Sequence, residues 1–428
     1  MAVKREIKFL MIVAAVYVGI GSIDLASFIV GSPSGSAPAY FSFSKADYFL
    51  YTFYYLFFCT LFFLFALLIN SVIFSENKNC EPIGKKYCCA GDTATEAFFF
   101  IAFIIIFFSV LWSVWKTGLL EYGIEARQGK QELGGTFYIA SIGGVILTTR
   151  QMTPSPAMRK LKILYLLLFF VTNLLSGFRI LIVWALIFFS VNNWWNNSFK
   201  ITKRLVCGVL FIILVFFTYE YIRGSLESGF SIDFSPLESL NRSRPLTSMI
   251  AVDYYQISIN EPYLSYIWEP LAAFFKYVGF DVSPKNFDIQ FITEPMYRGF
   301  LIWRGTPGSE ATGLSVHAAA IFWAHGRLLG LIFGALGLAL LFCVGRWFRA
   351  KPALWRSWFG NVCFTTLLCL NEAFSGAVAL GVYAIAFIIL FSSSCLIVRF
   401  VFLPRDFIAL GNPPAGVRRP PSFSSRGP

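Results

Sequence analysis

Arg298 and Arg304 stand near the two ends of the run Tyr297-Arg298-Gly299-Phe300-Leu301-Ile302-Trp303-Arg304-Gly305, and His317 follows shortly after. Arg242 and Arg244 stand earlier in the same polar stretch, 223–315, of a chain that is otherwise largely apolar. Arginine stays charged at every relevant pH and offers a planar fork of donors matched to phosphate oxygens. Histidine titrates close to neutral pH and can take a proton from a hydroxyl group. Arg179, far upstream, adds a cation inside an apolar run, where a charge is costly unless it has a partner or a wet cavity. These residue types together suit chemistry on an anionic, lipid-linked substrate. Glu294 and Glu269 are rival bases, each next to a proline (Pro295, Pro270) that fixes its backbone.

Each of these residues also has an ordinary reading. A loop arginine can pair with Glu261, Glu269, Asp281, Glu294 or Glu310, or sit in water or lipid headgroups. His317, in Gly313-Leu314-Ser315-Val316-His317-Ala318, reads equally as an interface histidine bonded to a backbone carbonyl. His325 reads as a packing residue. Asp24 and Glu372 are the clear acidic exceptions within apolar runs, both near predicted outer ends. Ion-coupled transport usually needs ionisable groups near mid-bilayer, and that signal is weak here.

The elements that must position these groups follow from composition. The chain has 428 residues, of which 57% are hydrophobic, 18% aromatic and 14% charged. Soluble domains carry about 25% charged residues, so this is an all-α polytopic membrane protein. The net charge of +12 sits in short clusters between apolar runs, the pattern of cytoplasmic positive charge. No basic stripe interleaved with aromatics lies on a soluble segment, which excludes nucleic-acid binding. Cys59, Cys207, Cys343, Cys363, Cys369 and Cys395 read as small buried hydrophobes. Cys80, Cys88 and Cys89 share one connector but lack a nearby histidine and make a poor zinc set. No metal and no cofactor is expected.

Apolar length and flanking charge predict about ten spans, at 9–30, 47–74, 96–116, 134–148, two within 161–195, 205–222, 316–345, 357–373 and 376–398. The stretch 161–195 is basic at both ends, so it must cross twice, and it breaks at Ser176-Gly177-Phe178-Arg179. Both termini and every strong basic cluster then lie in the cytoplasm. The chain divides into a helical part at 1–222, one large periplasmic loop at 223–315, a second helical part at 316–403 and a disordered basic tail at 404–428.

In this architecture, and in two local motifs, the chain resembles the bacterial O-antigen polymerases, the Wzy family of the polymerase and ligase superfamily. Ser176-Gly177-Phe178-Arg179, followed by Ile180-Leu181-Ile182, is similar to that family's Ser-Gly-Ser-Arg-Gly pattern, departing at Phe178 and Ile180. The stretch from Gly313 to Gly337, with Ser315-Val316-His317 and Gly326-Arg327-Leu328-Leu329-Gly330, resembles the histidine-then-glycine-rich helix after the family's loop. The resemblance implies a GT-C-like fold and metal-independent glycosyl transfer at the periplasmic face of the inner membrane. The donor would be a glycan chain on undecaprenyl diphosphate, the acceptor a repeat unit on the same lipid. A chain-length regulator and a flippase would be partners. By motif position, Arg179 and His317 take the phosphate-binding and base-like roles. Arg242, Arg244, Arg298 and Arg304 join the diphosphate site by location alone, and Glu294 remains a rival base.

Three other functions stay open at this level. The sister O-antigen ligase uses the same donor with a lipid A-core acceptor chosen by loop shape. A lipid-linked oligosaccharide flippase would place charges mid-span around a polar cavity. A membrane acyltransferase would put an acid near its histidine in sequence, and neither histidine here has one.

Overall fold

The computed structural model describes residues 2–29, 44–74, 90–117, 134–150, 155–176, 179–196, 245–254, 256, 258, 271–272, 317–349, 354–370 and 374–402. The elements are helices throughout: α1 (Ala2–Ile29), α2 (Lys45–Phe74), α3 (Ala90–Thr117), α4 (Gly134–Thr148), α5 (Pro156–Ser176), α6 (Arg179–Asn196), α7 (Pro245–Tyr254), α8 (Ala318–Arg349), α9 (Leu354–Cys369) and α10 (Phe374–Phe402). Five described helices are long and apolar enough to cross a membrane, on α1, α2, α3, α8 and α10; α4 and α6 contain shorter apolar stretches. The expected break at 176–179 separates α5 from α6. The expected span 205–222, most of the loop 223–315 and the tail 404–428 lie outside the described residues.

Local chemistry sets where helices begin. Ser44 and Asp47 form a reciprocal capping box on α2: Oγ of Ser44 accepts the Asp47 amide at 3.1 Å, and Oδ2 of Asp47 accepts the Ser44 amide at 3.0 Å. Oγ of Ser155 accepts the Met158 amide at 3.3 Å, and Pro156 stands in the first turn, where a missing N–H costs nothing. The apolar faces then pack by aromatic side chains. Phe107 and Phe169 surround the fully buried Tyr165, whose hydroxyl donates to the carbonyls of Ala140 and Ser141 at 3.0 and 2.7 Å. Phe53, Phe98 and Leu68 point outward instead, as a lipid-facing surface does.

The buried ion pairs among the described residues gather at one end of the bundle. Glu6 of α1 pairs with Arg346 of α8 at 2.6 Å. Glu96 of α3 takes Arg150 at 3.0 Å and Lys162 at 2.8 Å. Phe391 ties the two groups together, lying 6.0 Å from the Arg150 guanidinium and 5.8 Å from Trp358. Ser357, beside Trp358, accepts from Arg349. Cys59, Cys343, Cys363, Cys369 and Cys395 are buried and unbridged, as small core residues.

Helix α8 covers the span expected at 316–345 but is not one straight helix. Its 32 residues would reach about 48 Å as a straight helix, well beyond the roughly 30 Å of a bilayer core. The path breaks at Gly326 and Arg327, and the arm 318–325 folds back along the arm 328–349. A Cβ on Gly330 would overlap the Phe322 carbonyl oxygen, and one on Gly334 would overlap the Phe322 ring. In an unbroken helix Phe322 and Gly330 would stand about 12 Å apart along the axis. The arm 318–325 is therefore a re-entrant half-helix. It is almost wholly buried, the condition under which broken backbone is tolerated at membrane depth.

Candidate functional site

The site is best built outward from Tyr48, Tyr51 and Tyr55, which lie about one turn apart on one face of α2. The first two hydroxyls meet α7 and the third meets α1 and His317. Tyr48 bonds Thr247 of α7 at 2.9 Å. Tyr51 donates to Asp253, also of α7. Tyr55 donates to the Tyr17 carbonyl of α1 at 2.8 Å and lies 3.4 Å from Nε2 of His317. Gly21 of α1 makes room for this ring, since a Cβ there would strike it.

His317 is fully buried and begins the re-entrant arm. Its Nδ1 accepts the Ala319 amide at 3.0 Å, and its carbonyl accepts the amides of Ala320 and Ile321 at 3.0 and 3.3 Å. The Ala318 amide donates to the Leu370 carbonyl, just past α9, at 3.4 Å. The first amides of the arm are thus all engaged, and His317 acts as its cap. An amide can only donate, so Nδ1 is the bare nitrogen in this arrangement. A neutral ring then carries its proton on Nε2, facing the Tyr55 oxygen.

The histidine is deeper than the loop–membrane junction where the sequence reading put it. Its ring lies 6.0 Å from that of Tyr17, which is close to the middle of the apolar stretch Glu6–Ala26. Helix α9 also stops at this level. Its 16 residues rise about 24 Å, and the Leu367 carbonyl accepts the Tyr17 hydroxyl at 3.0 Å. The C-terminus of α9 and the N-terminus of the re-entrant arm meet inside the bundle.

Helix α7, within the stretch 223–315, closes over this meeting point and is tied by a carboxylate near each end. Oδ2 of Asp24 accepts the amides of Leu246 and Thr247 at 2.8 and 3.0 Å, and Oδ1 accepts the Thr247 hydroxyl at 3.0 Å. A buried carboxylate at a helix N-terminus meets both bare donors and the positive end of the dipole. Near the other end, Oδ2 of Asp253 accepts Nε1 of Trp323 at 2.7 Å as well as Tyr51, and Oδ1 pairs with Nε of Arg327 at 2.8 Å.

Arg327 sits in the turn between the arms of α8 with φ 53° and ψ −123°, a backbone that favours glycine. The neighbouring glycine, Gly326, has φ −179°, which any residue adopts. Strain of this kind costs on the order of 1–3 kcal/mol. The Arg327 side chain is 40% exposed in its pair with Asp253, and exposed ion pairs contribute only about 0–1 kcal/mol. The guanidinium also lies 6.0 Å from the Trp323 ring.

Arg179 is the first residue of α6. Nδ2 of Asn361 donates to Oδ1 of Asn192 at 2.9 Å, registering α6 against α9. From that bond Arg179 lies about 20 Å along α6, and Leu370 about 14 Å along α9 in the same sense. The two resemblance-bearing segments therefore begin their helices within roughly 6 Å of one another in depth. Just inside Arg179, Thr172 and Asn173 are fully buried, and Oγ1 of Thr172 and Oδ1 of Asn173 have no hydrogen-bond partner among the described residues. Arg242, Arg244, Glu294, Arg298 and Arg304 lie outside the described residues, as do Glu269 and Glu372.

Sequence reasoning missed Asp253, Thr247 and the tyrosine face of α2. The spacing of Tyr48, Tyr51 and Tyr55 was the available signal, but inside a run so rich in aromatics it carries no contrast. Among the described residues no three His, Cys, Asp or Glu side chains gather as a metal set. Comparison with protein-family models, curated proteins and solved structures returns no match.

Proposed function

We propose that this chain is an O-antigen polymerase of the bacterial inner membrane. It transfers the glycan chain from undecaprenyl diphosphate onto a lipid-linked repeat unit at the periplasmic face. The bond from the donor's anomeric carbon to the diphosphate oxygen breaks, and a bond from that carbon to an acceptor hydroxyl oxygen forms. The hydroxyl proton goes to a base, and the diphosphate leaves with its charge met by arginines.

The observation that supports this reading is that the two resemblance-bearing segments each start a helix at a similar depth. Both interrupt helices, and Arg179 and His317 begin the following helices at similar depth, toward the face opposite the buried ion pairs. Glu294 and His317 are the candidates for the base. Nδ1 of His317 already accepts the Ala319 amide, so a proton taken up there displaces the cap of the re-entrant arm.

Deletion in the host followed by lipopolysaccharide gels tests the reading. A ladder reduced to a single-repeat cap supports the polymerase. Loss of all O-antigen from lipid A-core, with polymer kept on the carrier lipid, points to the ligase. Repeat units stranded on the cytoplasmic face mean a flippase.

A further inference from the structure

We propose that Arg327 binds the phosphate oxygens of a lipid diphosphate, and that Asp253 is the residue that positions it. The inference deepens the function proposed above and rests on it for the identity of the lipid. The anion site itself rests on the arrangement around Asp253. This carboxylate collects donors from two helices other than its own: Tyr51 of α2, and Trp323 and Arg327 of α8. Oδ2 serves Tyr51 and Trp323, so Oδ1 meets the guanidinium, and does so at Nε. NH1 lies 3.5 Å from the Trp323 carbonyl. The group is held from its inner side, while two-fifths of the side chain stays exposed.

The turn points the same way. Arginine occupies the position whose backbone favours glycine, and glycine occupies the position where nothing requires it. Strain held at a charged residue is a mark of ligand sites. Along α2, Tyr51 lies about one turn outward of Tyr55, the partner of His317. An anion gripped by Arg327 would thus stand above the buried histidine. The described carboxylates nearby do not oppose it, because Asp24 receives the first amides of α7, Asp47 caps α2, and Asp253 serves three donors.

Phosphate oxygens occur both on a lipid-linked substrate and on bilayer phospholipids, so the test must separate them. The full-length protein is purified in detergent micelles, and binding of undecaprenyl diphosphate is measured beside undecaprenol and phosphatidylglycerol. Arg327→Gly is expected to raise the melting temperature by relieving the turn. It should also weaken the diphosphate by about tenfold or more and leave undecaprenol unchanged. Asp253→Asn should weaken the diphosphate selectively, and Asp253→Glu should recover part of the loss. A purely structural role predicts the reverse for Arg327→Gly, with stability lost and both lipids affected alike. Unchanged diphosphate affinity in Arg327→Gly overturns the proposal whatever the polymer ladder shows. Equal competition by phosphatidylglycerol also overturns it. Arg327-dependent diphosphate binding in a protein whose deletion leaves the ladder intact supports the site and overturns only the polymerase reading.

Discussion

Asp24 and Thr247, separated by 223 residues, form one hydrogen-bonded unit in which a transmembrane carboxylate caps a loop helix. The unit has a consequence that can be measured. Asp24→Ala strands the two buried amides of Leu246 and Thr247, at about 1–3 kcal/mol for each unsatisfied group. These bonds all fall on the start of α7, so their loss loosens that helix. Limited proteolysis of membrane vesicles should therefore cut within 223–315 faster in Asp24→Ala than in the parent chain. The helical core should resist equally in both. Equal cleavage rates in the loop would remove the capping role.

The fold-back of α8 depends on Gly330, where an added Cβ overlaps the backbone oxygen of Phe322. A backbone atom cannot swing aside as a side chain can, so the two arms must separate. Gly330→Ala should destabilise by about 1–3 kcal/mol, the cost of overpacking. Gly337, on the same helix, has nothing within 4 Å of an added Cβ. Gly337→Ala should be neutral or stabilise by about 0.5–1 kcal/mol through helix propensity. Melting followed by size-exclusion of detergent-solubilised protein compares the two, and equal losses would argue against the re-entrant packing.

Those glycines also show where the sequence was legible. Helix positions along the chain follow from apolar length, and the break between Ser176 and Arg179 follows from basic flanks that had to share one side. The fold-back of α8 does not show in the same way. Its residues form one apolar run of plausible length, and hydropathy is blind to direction. The clue was local: Gly326-Arg327 near mid-run, with Gly330 and Gly334 at the spacing of a close helix contact. For the site, His317 was legible as a residue type but its depth was not, because depth depends on Tyr17, Tyr55 and Leu370 from three distant helices. Asp253 was hidden for the same reason. Its partners Tyr51, Trp323 and Arg327 adjoin it only once α7 has docked.

Glu96 holds two cations, Arg150 and Lys162, in a nearly solvent-free setting. Removing the acid leaves both positive charges buried. Breaking such a network by one member costs about 3–5 kcal/mol, so Glu96→Gln should sharply lower the yield of folded protein. Adding Lys162→Met to Glu96→Gln removes one stranded charge and should restore part of that yield. Folded protein recovered from membranes by detergent extraction reports both effects. A double variant no better than Glu96→Gln alone would mean that Lys162 contributes nothing to the network.

His317 combines a structural duty with a proposed chemical one, and asparagine separates them. Asparagine is among the best helix caps, so His317→Asn should keep an acceptor for the Ala319 amide and hold the re-entrant arm. His317→Ala should lose about 0.5–2 kcal/mol from the missing cap. Asparagine has no group that takes up a proton near neutral pH. If proton transfer passes through this ring, His317→Asn will melt close to the parent chain yet produce no polymer ladder. Alanine would then lose both stability and ladder. A normal ladder in His317→Asn, with loss confined to alanine, would leave His317 as a cap and move the base to another residue, with Glu294 the next to test.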